Sequence, residues 1–310
     1  MRFVSCYENS SVILMEGAVG ERLKREYNLP FDDIVALANI IYRKGGKEAL
    51  YAIWNQYIDI AKKYNLPFMA TTPTRRANKE RVFRAGYDEA IILDNVCLLR
   101  QLQDTSDAEM YIGGLMGCKG DAYKATEILQ PDEAEEFHSW QADLFMQAGV
   151  DFLYAAIMPA LSEAIGMART MERTTLPYII SFMLRENGKL LDGTTINDAI
   201  SQLDNSVNRP PVCYMTNCIH PDVLYKALSC DFNQTLLVKQ RFHGIQANTS
   251  ALSPEELDNS IELKYSDCIE LAQSMHKLTN LISLKIAGGC CGTDNTHINE
   301  IAQILSPTIR

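Results

Sequence analysis

The chain has 310 residues, of which 47% are hydrophobic and 22% are charged, and its formal net charge is −10. This composition is ordinary for a globular protein, and a chain of this length can bury a large core. The negative charge disfavours nucleic acid and anionic membrane surfaces as partners.

The N-terminal residues lack the apolar region of a secretory signal, and no run of eighteen apolar residues occurs in the chain. We therefore expect a cytoplasmic protein without membrane segments. Nine cysteines are spread along the sequence. In a reducing compartment we expect them to be free thiols or metal ligands rather than a disulfide framework.

Short apolar runs alternate with longer amphipathic segments along the chain, and most runs have the length of buried parallel strands. We count eight of them, and this alternation predicts an α/β protein with a (β/α)8 TIM barrel, formed as a single domain by residues 1–310. The predicted strands are Val12–Met15, Pro67–Ala70, Met110–Leu115, Phe152–Ile157, Tyr178–Met183, Val212–Thr216, Phe242–Ala247 and Leu281–Ala287.

Additional helices are predicted between strands one and two, over Ile34–Arg43 and Lys47–Tyr64. Another helix is predicted to begin at Ser253, with Pro254 in its first turn. A doubly wound open sheet is the structural alternative. No Gly-x-Gly-x-x-Gly loop follows the first strand, so a dinucleotide-binding fold lacks support.

Three cysteines follow two of the predicted strands: Cys218 after strand six, and Cys290 and Cys291 after strand eight. The chemistry of such barrels lies at this end of the strands. Strands six and eight are separated by one neighbour, so side chains at their ends can converge. Three thiolates and one open position describe a catalytic zinc site. The flanking glycines would allow both sulfurs of the pair to face one ion.

Other interpretations of the cysteines remain open. A strained disulfide between Cys290 and Cys291 is one alternative, and Cys118 after strand three is a further candidate site residue. His220 and His297 are expected at helix starts rather than as ligands. Isolated cysteines are usually small buried apolar residues, which we predict for Cys6, Cys97, Cys213, Cys230 and Cys268.

The sequence GGCCGT at Gly288–Thr293, with Asn217-Cys218 upstream and Glu16-Gly17-Ala18 after the first strand, resembles the homocysteine S-methyltransferase family. That family includes the betaine- and S-methylmethionine-dependent enzymes and the homocysteine module of methionine synthase. Further similarity covers most of the chain, through Gly114–Gly120, Asp151–Ala164, Ile180–Phe182 and Ile245–Asn248. The resemblance also implies a (β/α)8 barrel.

The resemblance implies a zinc-dependent S-methyltransferase that moves a methyl group to a thiol, with homocysteine the leading acceptor and methionine the product. Zn²⁺ would be held by Cys218, Cys290 and Cys291, with no catalytic residue beyond the metal site. The partners would be a small-molecule thiol and a methyl donor. The implied substrate-binding residues are Glu16, Gly17, Ala18, Ser181, Asn217 and Asn248.

The sequence departs from the family where two carboxylates hold the amino group of homocysteine. The glutamate that usually ends strand four is Ala156, and the strand-one aspartate is Glu16. Glu16 would compensate for the lost carboxylate, or the acceptor is a different thiol, such as one without an α-amino group. Metal binding and methyl transfer are therefore better supported than homocysteine itself.

The methyl donor is less visible in the sequence. A chain of 310 residues has no room for the separate folate or cobalamin modules of long methionine synthases, which favours a small donor. A separate corrinoid or methyl-carrier protein is an alternative donor, and a non-catalytic zinc-binding barrel is an alternative function. The basic loop Thr74–Lys79 would contact an anionic donor group, or be a solvated loop that enters a helix.

Overall fold

Eight parallel strands close into a barrel in the part of the chain that the structure, a computed structural model, describes: residues 2–251 and 266–307. Each strand pairs with the next, and β8 closes the barrel against β1. The predicted (β/α)8 TIM barrel is confirmed. The strands are β1 Ile13–Met15, β2 Phe68–Thr71, β3 Met110–Met116, β4 Phe152–Met158, β5 Tyr178–Phe182, β6 Cys213–Ile219, β7 Phe242–Ala247 and β8 Ile286–Gly289.

Helices connect the strands and cover the barrel. Shorter 3-10 segments span Ile40–Tyr42, Asp231–Asn233 and Leu278–Asn280. The helices are α1 Arg2–Asn9, α2 Val19–Tyr27, α3 Gly46–Lys63, α4 Lys79–Arg84, α5 Ala90–Thr105, α6 Pro131–Ala148, α7 Leu161–Arg173, α8 Ile196–Asp204, α9 Pro221–Ser229, α10 Leu236–Arg241, α11 Cys268–Lys277 and α12 Asn295–Leu305.

Helix α1 contacts the N-terminal ends of the strands. The Phe3 ring stacks on that of Phe152, the first residue of β4, with centroids 4.6 Å apart. The Tyr7 hydroxyl is hydrogen-bonded to Nδ1 of His243 near the start of β7. These contacts cover part of the end of the barrel opposite the strand C-termini, where the chemistry of this fold resides.

The connection between β1 and β2 differs from its prediction. Helix α3 matches the predicted segment 47–64, but the predicted helix over Ile34–Arg43 is wrong, since only its last part forms a 3-10 turn. Asp32 Oδ1 accepts hydrogen bonds from the backbone N–H groups of Ile34 and Val35, and Ala36 has a left-handed φ of 53°. This local turn competes with helix formation, which hydrophobic spacing alone does not reveal.

Strand β8 begins later than predicted. Leu281, the predicted start, donates its N–H to the Leu278 carbonyl and continues the preceding 3-10 turn. The predicted helix start at Ser253 lies outside the described residues. In the described ranges, no helix is both long and apolar enough to cross a membrane.

Candidate metal centre and substrate cavity

The three predicted ligands Cys218, Cys290 and Cys291 come together at the C-terminal end of the barrel. Their sulfur atoms all lie within 4.8 Å of one another. Zinc–sulfur bonds of about 2.3 Å in a tetrahedron place the sulfurs about 3.8 Å apart. The cluster therefore has the chemistry and nearly the spacing of a site for a soft metal ion.

Two backbone features shape the cluster. Cys218 has a φ of 56°, a left-handed value that residues other than glycine rarely adopt and that often marks a functional position. Gly292, directly after the cysteine pair, has a φ of 82°, and a Cβ atom there would lie 2.0 Å from Thr249 Oγ1. Its N–H donates to Glu21 Oε2 over 2.6 Å. The turn therefore requires glycine, and Glu21 holds it.

The thiols perturb one another. The pKa of Cys218 lies well below its ordinary value, because Cys290 and Cys291 donate hydrogen bonds to its thiolate. The same interactions raise the pKa of Cys290, while Cys218 raises that of Cys291 to about 12. Without a cation, the cluster therefore favours one thiolate shared between two thiols. A metal ion that binds all three must displace the remaining protons.

The remaining cysteines take no part in this cluster. All nine cysteines are free, so a Cys290–Cys291 disulfide is not present. Cys118 is buried and its Sγ lies 3.6 Å from the Gly120 carbonyl oxygen. Cys6 and Cys213 are buried as predicted, but the prediction is wrong for Cys97, which is exposed on α5. Its position on the helix faces solvent, which the residue type alone does not indicate.

The two histidines considered as alternatives cap helices, as predicted. His220 Nδ1 accepts a hydrogen bond from the Asp222 N–H at the start of α9. His297 and Asp294 form a reciprocal capping box at the start of α12. Neither belongs to the metal-ligand group found among the described residues.

A cavity of about 410 Å³ lies over the cysteine cluster, in the size range of small-molecule sites. Its wall combines the three cysteines with polar groups from several strand ends and with apolar side chains. Ala156, at the position where the family usually has glutamate, also lines it. The other lining residues that matter here are Glu16, Gly17, Ala18, Glu21, Trp54, Arg75, Tyr123, Tyr154, Asn217 and Gln246.

Glu16 places a buried carboxyl group in the cavity wall. The side chain is 5% exposed and accepts hydrogen bonds from Thr71, at 2.6 Å from Oγ1 and at about 3 Å from the backbone N–H. Burial raises the pKa of Glu16 to about 8, although Thr71 and the Trp54 side chain lower it. This group is therefore mostly protonated at neutral pH, and a bound cation would favour its ionised form.

A buried polar network forms the wall next to Ala156. The Tyr154 hydroxyl lies 2.6 Å from Asn217 Oδ1 and 3.1 Å from Gln246 Oε1. Ser181 Oγ donates to Asn217 Oδ1, and Asn217 Nδ2 donates to Gln246 Oε1. The network fixes the amide of Asn217, and none of its four side chains is a carboxylate.

The six predicted substrate-binding residues divide into two groups. Glu16, Gly17, Ala18 and Asn217 line the cavity. Ser181 Oγ donates a hydrogen bond to Asn217 Oδ1, and the backbone N–H of Asn248 donates to the Ile219 carbonyl. Neither of these two lines the cavity.

Several cavity residues were missed by sequence reasoning. Tyr154 lies two residues before Ala156, and Gln246 lies two residues before Asn248. Because residues two apart share a face of a strand, this spacing alone could have identified Tyr154 and Gln246. Glu21 and Trp54 come from helices α2 and α3, and Tyr123 from the β3–α6 loop. No pattern in the sequence brings these last three to the cysteines.

The homocysteine S-methyltransferase family model matches residues 13–305. The chain belongs to this family of methyltransferases. The family resemblance carried by the GGCCGT and Asn-Cys motifs is thereby confirmed.

Two curated relatives carry the family name. The chain is 26% identical to homocysteine S-methyltransferase YbgG of Bacillus subtilis over 188 residues. That alignment covers 59% of this chain and 56% of YbgG. The chain thus spans little more than half the length of that relative. It is 22% identical to the homocysteine S-methyltransferase of Escherichia coli over 255 residues, covering 74% of this chain and 77% of the relative.

Solved structures of the homocysteine methyltransferase MmuM from Escherichia coli share the fold. Its metallated and oxidized forms each superpose with a TM-score of 0.75 at 19% identity. The alignments cover 96% of this chain and 98% or 97% of the MmuM chains. At this level of identity the likeness supports the barrel fold.

Proposed function

We propose that the protein is a zinc-dependent S-methyltransferase that methylates a small-molecule thiol, with homocysteine the leading acceptor and methionine the product. One observation carries this proposal: three cysteine sulfurs within 4.8 Å of one another line a cavity in a chain of the homocysteine S-methyltransferase family. Thiolate ligands favour Zn²⁺ over hard cations such as Mg²⁺.

Cys218, Cys290 and Cys291 would hold the ion, leaving a substrate thiol as the fourth ligand. When bound, Zn²⁺ lowers the pKa of a coordinating thiol and so supplies a thiolate nucleophile at neutral pH. The acceptor sulfur forms a bond to the methyl carbon of the donor. For a sulfonium donor, its carbon–sulfur bond breaks and the electron pair leaves with a neutral thioether.

The surrounding residues orient the acceptor and exclude water. Glu16 would accept hydrogen bonds from the ammonium group of an amino-acid thiol and release its own proton as that cation binds. Leu115 and Ile157 contribute apolar surface to the cavity. Holding two reactants in one orientation is a major part of catalysis of such a bimolecular transfer.

The cellular context belongs to the same proposal. Nine free thiols are typical of a reducing compartment, which supports a cytoplasmic protein and a methionine-forming role there. The cavity size supports small-molecule substrates rather than a large donor module.

A methyl-transfer assay read by mass spectrometry tests the proposal. Zinc-loaded protein is incubated with L-homocysteine and, separately, S-methylmethionine, S-adenosylmethionine or betaine. We expect methionine with at least one donor, and loss of product in Cys290→Ser but not in the exposed-cysteine control Cys97→Ser. The same assay is run with 4-mercaptobutyrate, a thiol without an amino group, as the acceptor. If neither thiol is methylated with any of the donors, the proposed activity is wrong.

A further inference from the structure

Arg75 brings a guanidinium group to the cavity that contains the cysteine cluster. The residue lies in the loop between β2 and α4, is partly buried and lines the cavity. Within the described ranges it forms no hydrogen bond or ion pair. Its neighbour Arg76, by contrast, donates to the Gly120 carbonyl over 2.8 Å. A partly buried arginine without a partner is unusual in a chain with ten excess negative charges.

The loop that carries Arg75 is anchored at the preceding residue, Thr74. Thr74 Oγ1 donates to the Leu115 carbonyl over 2.9 Å, and Gln141 Nε2 donates to the Thr74 carbonyl over 3.0 Å. The backbone and Cγ of Arg75 pack so closely over Gly117 that a Cβ there would lie 2.6 Å from the Arg75 carbonyl oxygen. The guanidinium is therefore presented from a well-supported backbone rather than from a free surface loop.

The groups that act electrostatically on Arg75 are a tyrosine and three cysteines. Burial lowers the pKa of Arg75, but Tyr123, Cys218, Cys118 and Cys290 raise it on balance. None of these groups is a carboxylate. Of the two carboxyl groups that line the cavity, Glu16 is buried, which raises its pKa to about 8. Glu21 accepts a hydrogen bond from the Gly292 N–H. Because no described side chain is hydrogen-bonded or ion-paired to the guanidinium, its N–H groups are available to a ligand.

One backbone donor of the cavity lining already has a partner. The Ala18 N–H, at the start of α2, already donates to Thr293 Oγ1 over 3.1 Å. An amino-acid substrate carries an ammonium and a carboxylate. Among the described residues, the cavity lining offers the carboxyl groups of Glu16 and Glu21 and one cation without a hydrogen bond or ion pair, Arg75. The planar guanidinium matches a carboxylate in a bidentate geometry.

We propose that Arg75 is a substrate-binding residue that recognises the carboxylate of an amino-acid substrate in this cavity. The inference rests on the proposed function, because it assigns the substrate class of the same site. Both the thiol acceptor and a sulfonium donor such as S-methylmethionine carry this group, so the experiment separates the two sources.

Calorimetric binding to zinc-loaded protein tests the assignment without turnover. The acceptor series is L-homocysteine, 4-mercaptobutyrate, which lacks the amino group, and 3-mercaptopropylamine, which lacks the carboxylate. The donor series is S-methylmethionine and its carboxylate-free analogue, 3-aminopropyl dimethylsulfonium. In Arg75→Gln we expect binding of the carboxylate-bearing members of one series to weaken about 10- to 100-fold, the range for a lost charged hydrogen bond. Their carboxylate-free counterpart should change less than about threefold, and the affected series identifies the source.

Matched variants separate recognition from a general charge effect. Arg75→Lys keeps the positive charge but cannot form the bidentate contact of a guanidinium. Its affinity for carboxylate-bearing ligands should lie between those of the wild type and Arg75→Gln. Arg84→Gln removes an exposed cation from the nearby helix α4 and should leave binding unchanged. Zinc content should be the same in all variants.

Two results would overturn the proposal. One is that Arg75→Gln weakens the binding of carboxylate-bearing and carboxylate-free ligands equally, or that it loses zinc. Either outcome is expected if Arg75 only offsets the negative charge of the thiolates. The other is no measurable binding of any carboxylate-bearing ligand to the wild type. Failure of the proposed methyl transfer is recognised separately, since these binding differences require no reaction.

Discussion

The sulfur atoms of Cys218 and Cys290 lie within 4.8 Å of each other, although one belongs to β6 and the other follows β8. Strand β7 lies between them in the barrel. Their proximity follows from closure of the sheet, because the C-terminal ends of all its strands surround one axis. Cys291 completes the group through the turn at Gly292, so the metal centre depends on backbone geometry as well as on three thiols.

Substitution of Gly292 should therefore damage both stability and the metal site. In Gly292→Ala the new Cβ would lie 2.0 Å from Thr249 Oγ1, which is a steric clash. The alanine would also have to adopt a left-handed backbone conformation, with a φ of 82°. Gly193→Ala is the matched control, since Gly193 has a φ of 89° with nothing within 4 Å of its Cβ position. We expect the free energy of unfolding to fall by about 1–2 kcal/mol in Gly193→Ala and by more in Gly292→Ala. Denaturant unfolding measures both changes.

Metal analysis of the same two variants adds a second readout. Only Gly292→Ala should bind less zinc than wild type. Equal stability and equal zinc content in the two variants would show that the turn does not shape the cluster.

Glu16 should make stability depend on pH. Its pKa in the folded protein is about 8, raised by burial from an ordinary value of 4.5. Between these values the folded state binds more protons than the unfolded state, so this group's contribution to stability is present below pH 4.5 and is lost as pH rises towards 8. The slope is about 1.4 kcal/mol per pH unit in the middle of this window.

The variant Glu16→Gln isolates that contribution. It cannot ionise, and its Oε1 can still accept from Thr71. Denaturant unfolding of the metal-free protein at several pH values between 5 and 8 should show the wild type losing stability relative to Glu16→Gln as pH rises. Parallel pH profiles for the two proteins would contradict a buried, protonated Glu16.

Ala156→Glu should change acceptor selectivity. Ala156 is 2% exposed and lines the cavity, where a carboxylate would meet the ammonium of an amino-acid thiol. We expect the preference for L-homocysteine over 4-mercaptobutyrate, as the ratio of kcat/KM values, to rise about 10-fold or more. Ala156→Gln is the control of equal size. If both variants shift the ratio equally, charge at this position does not select the acceptor.

The sequence was sufficient for the barrel and the three cysteines because both follow from repeated local signals. Apolar runs of strand length repeat along the chain, and glycines flank the Cys290-Cys291 pair. The segment Ile34–Arg43 shows where such signals fail: its apolar spacing resembles a helix, yet the Asp32 side chain and the left-handed Ala36 turn the chain.

The rest of the cavity depends on tertiary contacts. Tyr123 reaches the thiols from a long loop, and Trp54 reaches Glu16 from α3. Ser181 occupies a family-like position but supports Asn217 instead of lining the cavity. The spacing of residues along a strand predicts which face they share, but not whether a neighbouring side chain covers them.

Zinc content per chain, measured by inductively coupled plasma mass spectrometry, tests the metal centre most directly. The wild type and the Cys97→Ser control should each contain about one zinc ion, and the triple variant Cys218→Ser, Cys290→Ser, Cys291→Ser should contain none while remaining folded by circular dichroism. Full zinc in the folded triple variant, or a wild type that binds no zinc when supplied with it, would contradict the account.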